Sequence, residues 1–192
     1  MTEEAQKKVL LLGAGMCSHP AIHYFDGKGY EVVVASRTVA RAHKQIQGCS
    51  KNTSARELDV GAADGEEKLR QLVKEKGFDI VVSLLPYLLH PVAAKVALEF
   101  NLPFVAPSYV SDGIRALEPQ AKDKNVPIVM ECGVDPGTDH GAAMKIIHDV
   151  HKRDGKLVFF TSFAGGLPAP DDEEQNPFGY KFSWAPRGVL LA

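Results

Sequence analysis

A doubly wound α/β fold, a parallel sheet with helices on both faces, is predicted by three features of this 192-residue chain. Short β-branched runs alternate with helical stretches as far as residue 131, and such alternation builds parallel strands joined by right-handed crossovers. The first run, Val9 to Leu12, meets a glycine turn, Gly13-Ala14-Gly15-Met16, that opens a helical stretch. A second run, Val32 to Val34, follows roughly 20 residues after the turn and completes a strand–turn–helix–strand unit.

The elements follow in order from apolar periodicity and cap signals. Strands are expected at 8–12, 31–35, 54–58, 79–84, 103–106 and 127–131. Helices are expected at 17–28, 38–47, 65–76, 90–100 and 112–124, the last opened by the cap pair Ser111-Asp112. This is a nearly complete Rossmann pattern. After Glu131 the character changes. Cys132-Gly133-Val134-Asp135-Pro136-Gly137 reads as a loop entering a helix, with Asp135 as cap and Pro136 in the first turn. That helix runs to about His151 and is followed by a strand at 157–163, then by a stretch rich in Gly, Pro and acids. Phe178, Tyr180, Phe182 and Trp184 alternate as one face of a further strand. Two units result: a dinucleotide-binding domain at 1–131, and the beginning of an α+β substrate domain at 132–192. The apolar ending Val189-Leu190-Leu191-Ala192 carries no stop signal and reads as the interruption of a longer chain.

Composition narrows the function classes. Hydrophobic residues make up 45% and charged residues 24%, as in ordinary soluble domains. A net charge of −2 argues against a nucleic-acid or membrane-surface binder, which carries a basic excess. The three cysteines, Cys17, Cys49 and Cys132, are odd in number and widely spaced, which fits reduced thiols better than a disulfide framework. The first eight residues are polar and no long apolar run appears, so a cytoplasmic location is expected.

The candidate chemistry starts at the glycine turn. A strand, a glycine turn and a helix N-terminus make a pyrophosphate cradle, because free N–H groups and the positive end of the helix dipole face the phosphates. Gly13 and Gly15 fit this pattern, and Ser18, at the third position, is small enough for close helix–strand packing. The residue closing the second strand reads the adenosine ribose: an acid there accepts from two hydroxyls, whereas an arginine suits a 2′-phosphate. This chain has Arg37, flanked by the hydroxyls of Ser36 and Thr38, and therefore points to NADP(H) and redox chemistry. Asp59, after the third strand, either contacts adenine or caps the next turn. His19 and His23 stand four apart, but no third ligand accompanies them and no metal is expected. His148 and His151 read as an exposed helix end. The aromatic alternation at 178–184 lacks the basic groove of a base-stacking surface and fits core packing or a pocket wall.

Ligands of this fold bind at the carboxyl ends of the strands. Three segments lie there: Ser83-Leu84-Leu85-Pro86-Tyr87, Pro107-Ser108-Tyr109, and Glu131 through Gly137. These segments carry a specific likeness. Val82-Ser83-Leu84-Leu85-Pro86-Tyr87, Ser108-Tyr109-Val110-Ser111, Glu131-Cys132-Gly133-Val134-Asp135-Pro136-Gly137-Thr138-Asp139-His140, Gly165-Gly166-Leu167-Pro168-Ala169-Pro170 and Asn176-Pro177-Phe178-Gly179-Tyr180-Lys181-Phe182-Ser183-Trp184 resemble the glutamate-forming saccharopine dehydrogenase (saccharopine reductase) family. The similarity covers essentially the whole chain, and Ala35-Ser36-Arg37-Thr38 resembles the NADP-dependent, fungal-type branch.

The resemblance implies an oxidoreductase of lysine metabolism acting on a CH–NH group. Its reaction converts L-saccharopine, NADP+ and water into L-glutamate, L-2-aminoadipate 6-semialdehyde and NADPH, reversed in lysine biosynthesis. It implies NADP contacts at Gly13, Ala14, Gly15, Met16, Ala35, Ser36, Arg37, Asp59, Val60, Leu85, Pro107, Ser108, Asp135, Pro136, Gly137 and Ala185. Saccharopine would meet Ser108, Tyr109 and Asp135. Asp135 and Tyr109 are the catalytic candidates, Asp135 pairing with the substrate amine and Tyr109 donating to a carboxylate. Lys181 and Arg187 are the nearest cations for substrate carboxylates, and the family's main carboxylate-binding arginine lies beyond Ala192. Family members are about twice this length, so the fragment is expected to lack part of its site and to be inactive alone. Pro107 stands where a Ser or Thr is usual, and Ala164 where a cysteine is common. Two rivals remain: a carboxynorspermidine-type reductase and a catalytically silent NADP(H)-binding sensor module. No residue pattern decides the oligomeric state, and a homodimer is compatible with the reading.

Overall fold

A computed structural model of the chain describes residues 6–166, 169 and 177–180. Six parallel strands form one sheet in the order β3-β2-β1-β4-β5-β6. They are β1 (Lys8–Leu12), β2 (Glu31–Ser36), β3 (Thr53–Glu57), β4 (Ile80–Ser83), β5 (Phe104–Val105) and β6 (Ile128–Val129). The helices are α1 (Ser18–Gly27), α2 (Val39–Gln45), α3 (Gly65–Lys76), α4 (His90–Glu99), α5 (Asp112–Arg115), α6 (Glu118–Lys124) and α7 (Thr138–His151). A single 3₁₀ turn, Tyr87–Leu89, leads into α4. The chain winds outward from β1 to β3 and then crosses to β4, which leaves a topological switch point between β1 and β4.

The two-residue period of the strands sorts the core into two layers. Leu10 and Leu12 of β1, with Val33 and Ala35 of β2, pack with Leu69 and Val73 of α3 and with Ala93, Val96 and Ala97 of α4. Leu11, Val32 and Val34 face the other way, onto Ile22 of α1 and Ala42 of α2. Burial on both faces explains why β1 and β2 read as continuous apolar runs instead of alternating ones.

Two expectations need correction. The helix expected at 112–124 is two helices, α5 and α6, and Pro119 lies in the first turn of α6. Proline has no N–H to bond back into α5, so the helix must restart. The strand expected at 157–163 is absent. Val158, Phe159 and Phe163 are exposed there, and among the described residues no strand pairs with this segment. A β-run without a partner has no ladder to join. Residues 177–179 form a turn and bend, and Phe182 and Trp184 lie outside the described residues. From residue 132 onward the described residues therefore contribute one helix, α7, and no strand of the expected α+β unit.

Candidate functional site

Register places the expected loops side by side. Leu12, the last residue of β1, pairs with Ala35 on one side and Ser83 on the other. Val82 pairs with Val105, which pairs with Val129. The segments following β1, β2, β4, β5 and β6 thus all leave from one end of the sheet.

The glycine turn is held at three levels. The Gly13 N–H donates to Ala35 O at 2.8 Å, which ties the turn to β2. Gly13 has φ +105°, and a Cβ there would lie 2.7 Å from the carbonyl oxygen of Leu84. Only glycine satisfies both conditions. The Gly15 carbonyl accepts from the Ser18 N–H (3.2 Å), the Ser18 hydroxyl (2.7 Å) and Gln45 Nε2 (3.2 Å). Ser18 is fully buried, as its place in the motif requires. Ala14 is buried, whereas Gly15 and Met16 are exposed. A Cβ on Gly15 would meet nothing within 4 Å, so open space lies over this backbone, and no side chain caps the first turn of α1. Open space beside uncapped helix amides fits a dinucleotide diphosphate.

At the end of β2, Ser36 is buried and its Oγ accepts from the Thr38 N–H at 3.4 Å. Arg37 is exposed and forms no side-chain hydrogen bond or ion pair among the described residues. Arg41, in the first turn of α2, is likewise exposed and unpaired among them. Sequence reasoning did not single out Arg41, although the second basic residue of Ser36-Arg37-Thr38-Val39-Ala40-Arg41 was a usable signal. Asp59 Oδ1 accepts from the Gly61 N–H at 3.0 Å, so its carboxylate caps the turn that follows β3. Val60 is buried behind it. The His19 and His23 rings lie 4.0 Å apart, tilted by 45°, and each has a ring nitrogen within hydrogen-bonding distance of Gln45 O.

The loops after β5 and β6 are laced together. Glu131 N–H donates to Ser108 O (3.0 Å), Cys132 N–H to Ala106 O (3.3 Å) and Val110 N–H to a Glu131 carboxylate oxygen (3.3 Å). The Tyr109 hydroxyl donates to Asp135 Oδ1 at 3.4 Å, which joins the two catalytic candidates. Partial burial, then the Asp135 charge, pushes the Tyr109 hydroxyl above its ordinary value, so it remains a protonated donor. Pro107, which precedes Ser108, and Leu85, after β4, are half-buried.

The loop itself differs from the expectation. Gly133 N–H donates to Pro136 O (2.9 Å), and Thr138 N–H donates back to Gly133 O (3.0 Å). Gly137 has φ +146°, and a Cβ there would press on Gly133 and Glu131 backbone atoms. This closed loop ends at Gly137, and α7 begins only at Thr138. Asp135 is therefore exposed and is not the helix cap, and Pro136 is buried outside the helix. Asp139 takes the polar role, accepting from the Gly137 N–H at 2.9 Å and pairing with His140 at 2.8 Å. Ala185, Lys181 and Arg187 lie outside the described residues.

The sequence model described as the saccharopine dehydrogenase NADP binding domain matches residues 9–129, and that of the saccharopine dehydrogenase C-terminal domain matches residues 133–192. The chain belongs to the saccharopine dehydrogenase family. It is 41% identical over 187 residues to saccharopine dehydrogenase [NADP(+), L-glutamate-forming] of Saccharomyces cerevisiae, covering 97% of this chain and 40% of the yeast protein. It is 36% identical over 192 residues to the mitochondrial alpha-aminoadipic semialdehyde synthase of Rattus norvegicus, covering 20% of that protein. The solved apo structure of the yeast saccharopine dehydrogenase (L-Glu forming) superposes with a TM-score of 0.80 over 97% of this chain and 40% of the yeast chain. The chain thus spans about two fifths of the length of its fungal saccharopine dehydrogenase relatives. Its six-stranded sheet is the NADP binding domain of the saccharopine dehydrogenase family.

Proposed function

We propose that this chain is the cofactor-binding part of an NADP(H)-dependent saccharopine reductase, converting saccharopine, NADP+ and water into glutamate, 2-aminoadipate 6-semialdehyde and NADPH. The observation that carries the proposal is the junction of Tyr109 and Asp135 at the same end of the sheet as a glycine turn that fits a diphosphate. NADP, when bound, supplies the hydride acceptor. The cradle would be Gly13 to Met16, with Arg37 and the hydroxyls of Ser36 and Thr38 on the 2′-phosphate. Ala35, Val60, Leu85, Pro107, Ser108, Pro136, Gly137 and Ala185 would complete the cofactor contacts, with Asp59 acting through its turn.

Loss of hydride from the carbon bearing the secondary amine leaves an imine for water to attack. The substrate amine needs a counter-charge, and the exposed Asp135 carboxylate can supply it. Tyr109, held protonated, can orient a substrate carboxylate once that oxygen replaces Asp135 as the acceptor of its single O–H, and it is poorly suited to act as a base at neutral pH. Ser108 immediately precedes Tyr109 in sequence and faces both ligands in this reading. The unit boundary belongs to the same proposal: residue 131 falls between the matched spans 9–129 and 133–192. Identity of 41% to a glutamate-forming saccharopine dehydrogenase favours this reading over a carboxynorspermidine-type reductase or a silent sensor.

No helix among the described residues is long and apolar enough to cross a membrane. A cytoplasmic location is also proposed, and the free thiols of Cys17, Cys49 and Cys132 support a reducing compartment. The deciding experiment measures saccharopine-dependent reduction of NADP+ by the full-length protein that contains this chain. Turnover is expected; NADPH binding without turnover would favour the sensor.

A further inference from the structure

A buried imidazole connects two of the strand-end segments. His90, the first residue of α4, is only 1% exposed. Its Nδ1 lies 2.9 Å from Ser83 Oγ at the end of β4, and its Nε2 lies 2.8 Å from Ser108 Oγ after β5. The ring sits edge-on to Phe104 at 6.3 Å, which fixes its plane. We propose that His90 is a positioning residue that fixes the polarity of Ser108, making its hydroxyl a hydrogen-bond donor toward an acceptor oxygen of the bound ligand.

The polarity follows from hydrogen-bond bookkeeping. A neutral imidazole has one donor and one acceptor, so the two serines cannot play the same part. Burial pushes His90 down to about 4, so the ring is neutral at ordinary pH. Ser83 is fully buried, and among the described residues its hydroxyl has no partner except His90. Were Nδ1 to carry the proton, the Ser83 hydrogen would be buried without an acceptor, a costly arrangement. Ser83 therefore donates to Nδ1, and Nε2–H donates to Ser108 Oγ. With that lone pair occupied, the Ser108 hydrogen is free to point to the strand ends, where Ser108 is half-buried. The partner it suits is a carboxylate, carboxamide or phosphate oxygen, from either the cofactor or the substrate. This step rests on the proposed placement of ligands at Ser108.

The test has a spectroscopic arm and a binding arm. Imidazole nitrogen NMR of the chain at pH 7 should show His90 neutral with the proton on Nε2, and Ser83→Ala should disturb that tautomer. A protonated ring, or a proton on Nδ1, overturns the proposal. In NADPH titrations, Ser108→Ala should weaken binding roughly five- to tenfold, the scale of one buried hydrogen bond. His90→Asn, which can keep only the nearer bond to Ser83, should show the same loss, and adding Ser108→Ala to it should cost nothing further. His90→Gln, whose amide reaches the Nε2 position, should recover most of the affinity although both His90 variants lose thermal stability. If only saccharopine binding to the full-length protein responds, the acceptor oxygen belongs to the substrate; loss already seen with NADPH alone assigns it to the cofactor. Stability losses without any change in either affinity overturn the proposal. If the unsubstituted chain binds no NADPH, the cofactor assignment beneath it fails first.

Discussion

Gly13 and Leu84 approach so closely that a Cβ on Gly13 would stand 2.7 Å from the Leu84 carbonyl oxygen. The contact spans the switch point, because Gly13 follows β1 and Leu84 follows β4. The glycine turn and the loop after β4 are therefore set against each other by backbone alone. Leu84 N–H donates to Leu12 O at 2.8 Å, which closes the same seam from the other side.

Gly13→Ala should consequently damage both stability and binding. The new methyl meets a rigid carbonyl, and φ +105° is unfavourable for any residue with a Cβ. A loss of about 2–4 kcal/mol in unfolding free energy is expected. Chemical denaturation checks the stability, and NADPH titration of the folded fraction checks the turn. Wild-type values in both would show that the seam is looser than described.

Arg37 leaves β2 exposed and unpaired among the described residues, with Arg41 four residues further along. Arg37→Ala should weaken NADPH roughly 10- to 100-fold, the scale of a charge-assisted bond to phosphate. NADH, which lacks the 2′-phosphate, should change little. Arg41→Ala should show a smaller effect of the same sign. Equal affinities for the two cofactors in the unsubstituted chain would remove Arg37 from the 2′-phosphate.

The sheet was legible because its inner strands β1, β2 and β4 are largely apolar on both faces and each is followed by a turn or cap signal. β1 was read residue for residue, and α3 likewise. Helix 112–124 was misread because apolar periodicity runs through Pro119, and the proline's missing N–H outweighed it. Asp135 was misread as a cap because an acid before proline is a standard start signal. The closed loop from Gly133 to Gly137 packs against Pro107, a contact that local sequence does not reveal. His90 went unnoticed for a similar reason. A histidine opening a helix carries no local mark of two serines that come from different strands.

The contact with Asp135 predicts how the Tyr109 hydroxyl titrates. Burial raises the Tyr109 hydroxyl first, and the Asp135 carboxylate adds to the shift. Asp135→Asn should therefore lower the Tyr109 value while leaving it a donor at neutral pH. A raised value in the folded state means that this hydroxyl supports folding below the ordinary tyrosine range, and that its support fades as pH rises through the folded value. Tyrosinate absorbance during alkaline titration follows the change. An unchanged Tyr109 transition in the Asp135 variant would show that the 3.4 Å contact carries no electrostatic coupling.

His90 predicts how stability depends on acid. Its ring is buried and held at about 4, against an ordinary value of 6.5. Between these values the unfolded chain takes up a proton that the folded chain refuses, so stability rises with pH across this window. The contribution is fully present above pH 6.5 and is lost progressively as pH falls to about 4. At full burial the window is worth ~3 kcal/mol. Replacing His90 by Gln removes the titrating group but not the helix. The variant should be less stable than wild type at pH 7, because one of the two serine bonds is lost, and the gap should narrow steadily on acidification. Carboxylates such as Asp26 and Glu99, which are held low by their partners, titrate in both proteins and cancel in the difference. Denaturation midpoints measured for the pair at several pH values give the slope directly. Parallel curves would mean that the imidazole is hydrated or protonated in the folded chain, and that Ser83 and Ser108 are not joined through a neutral ring.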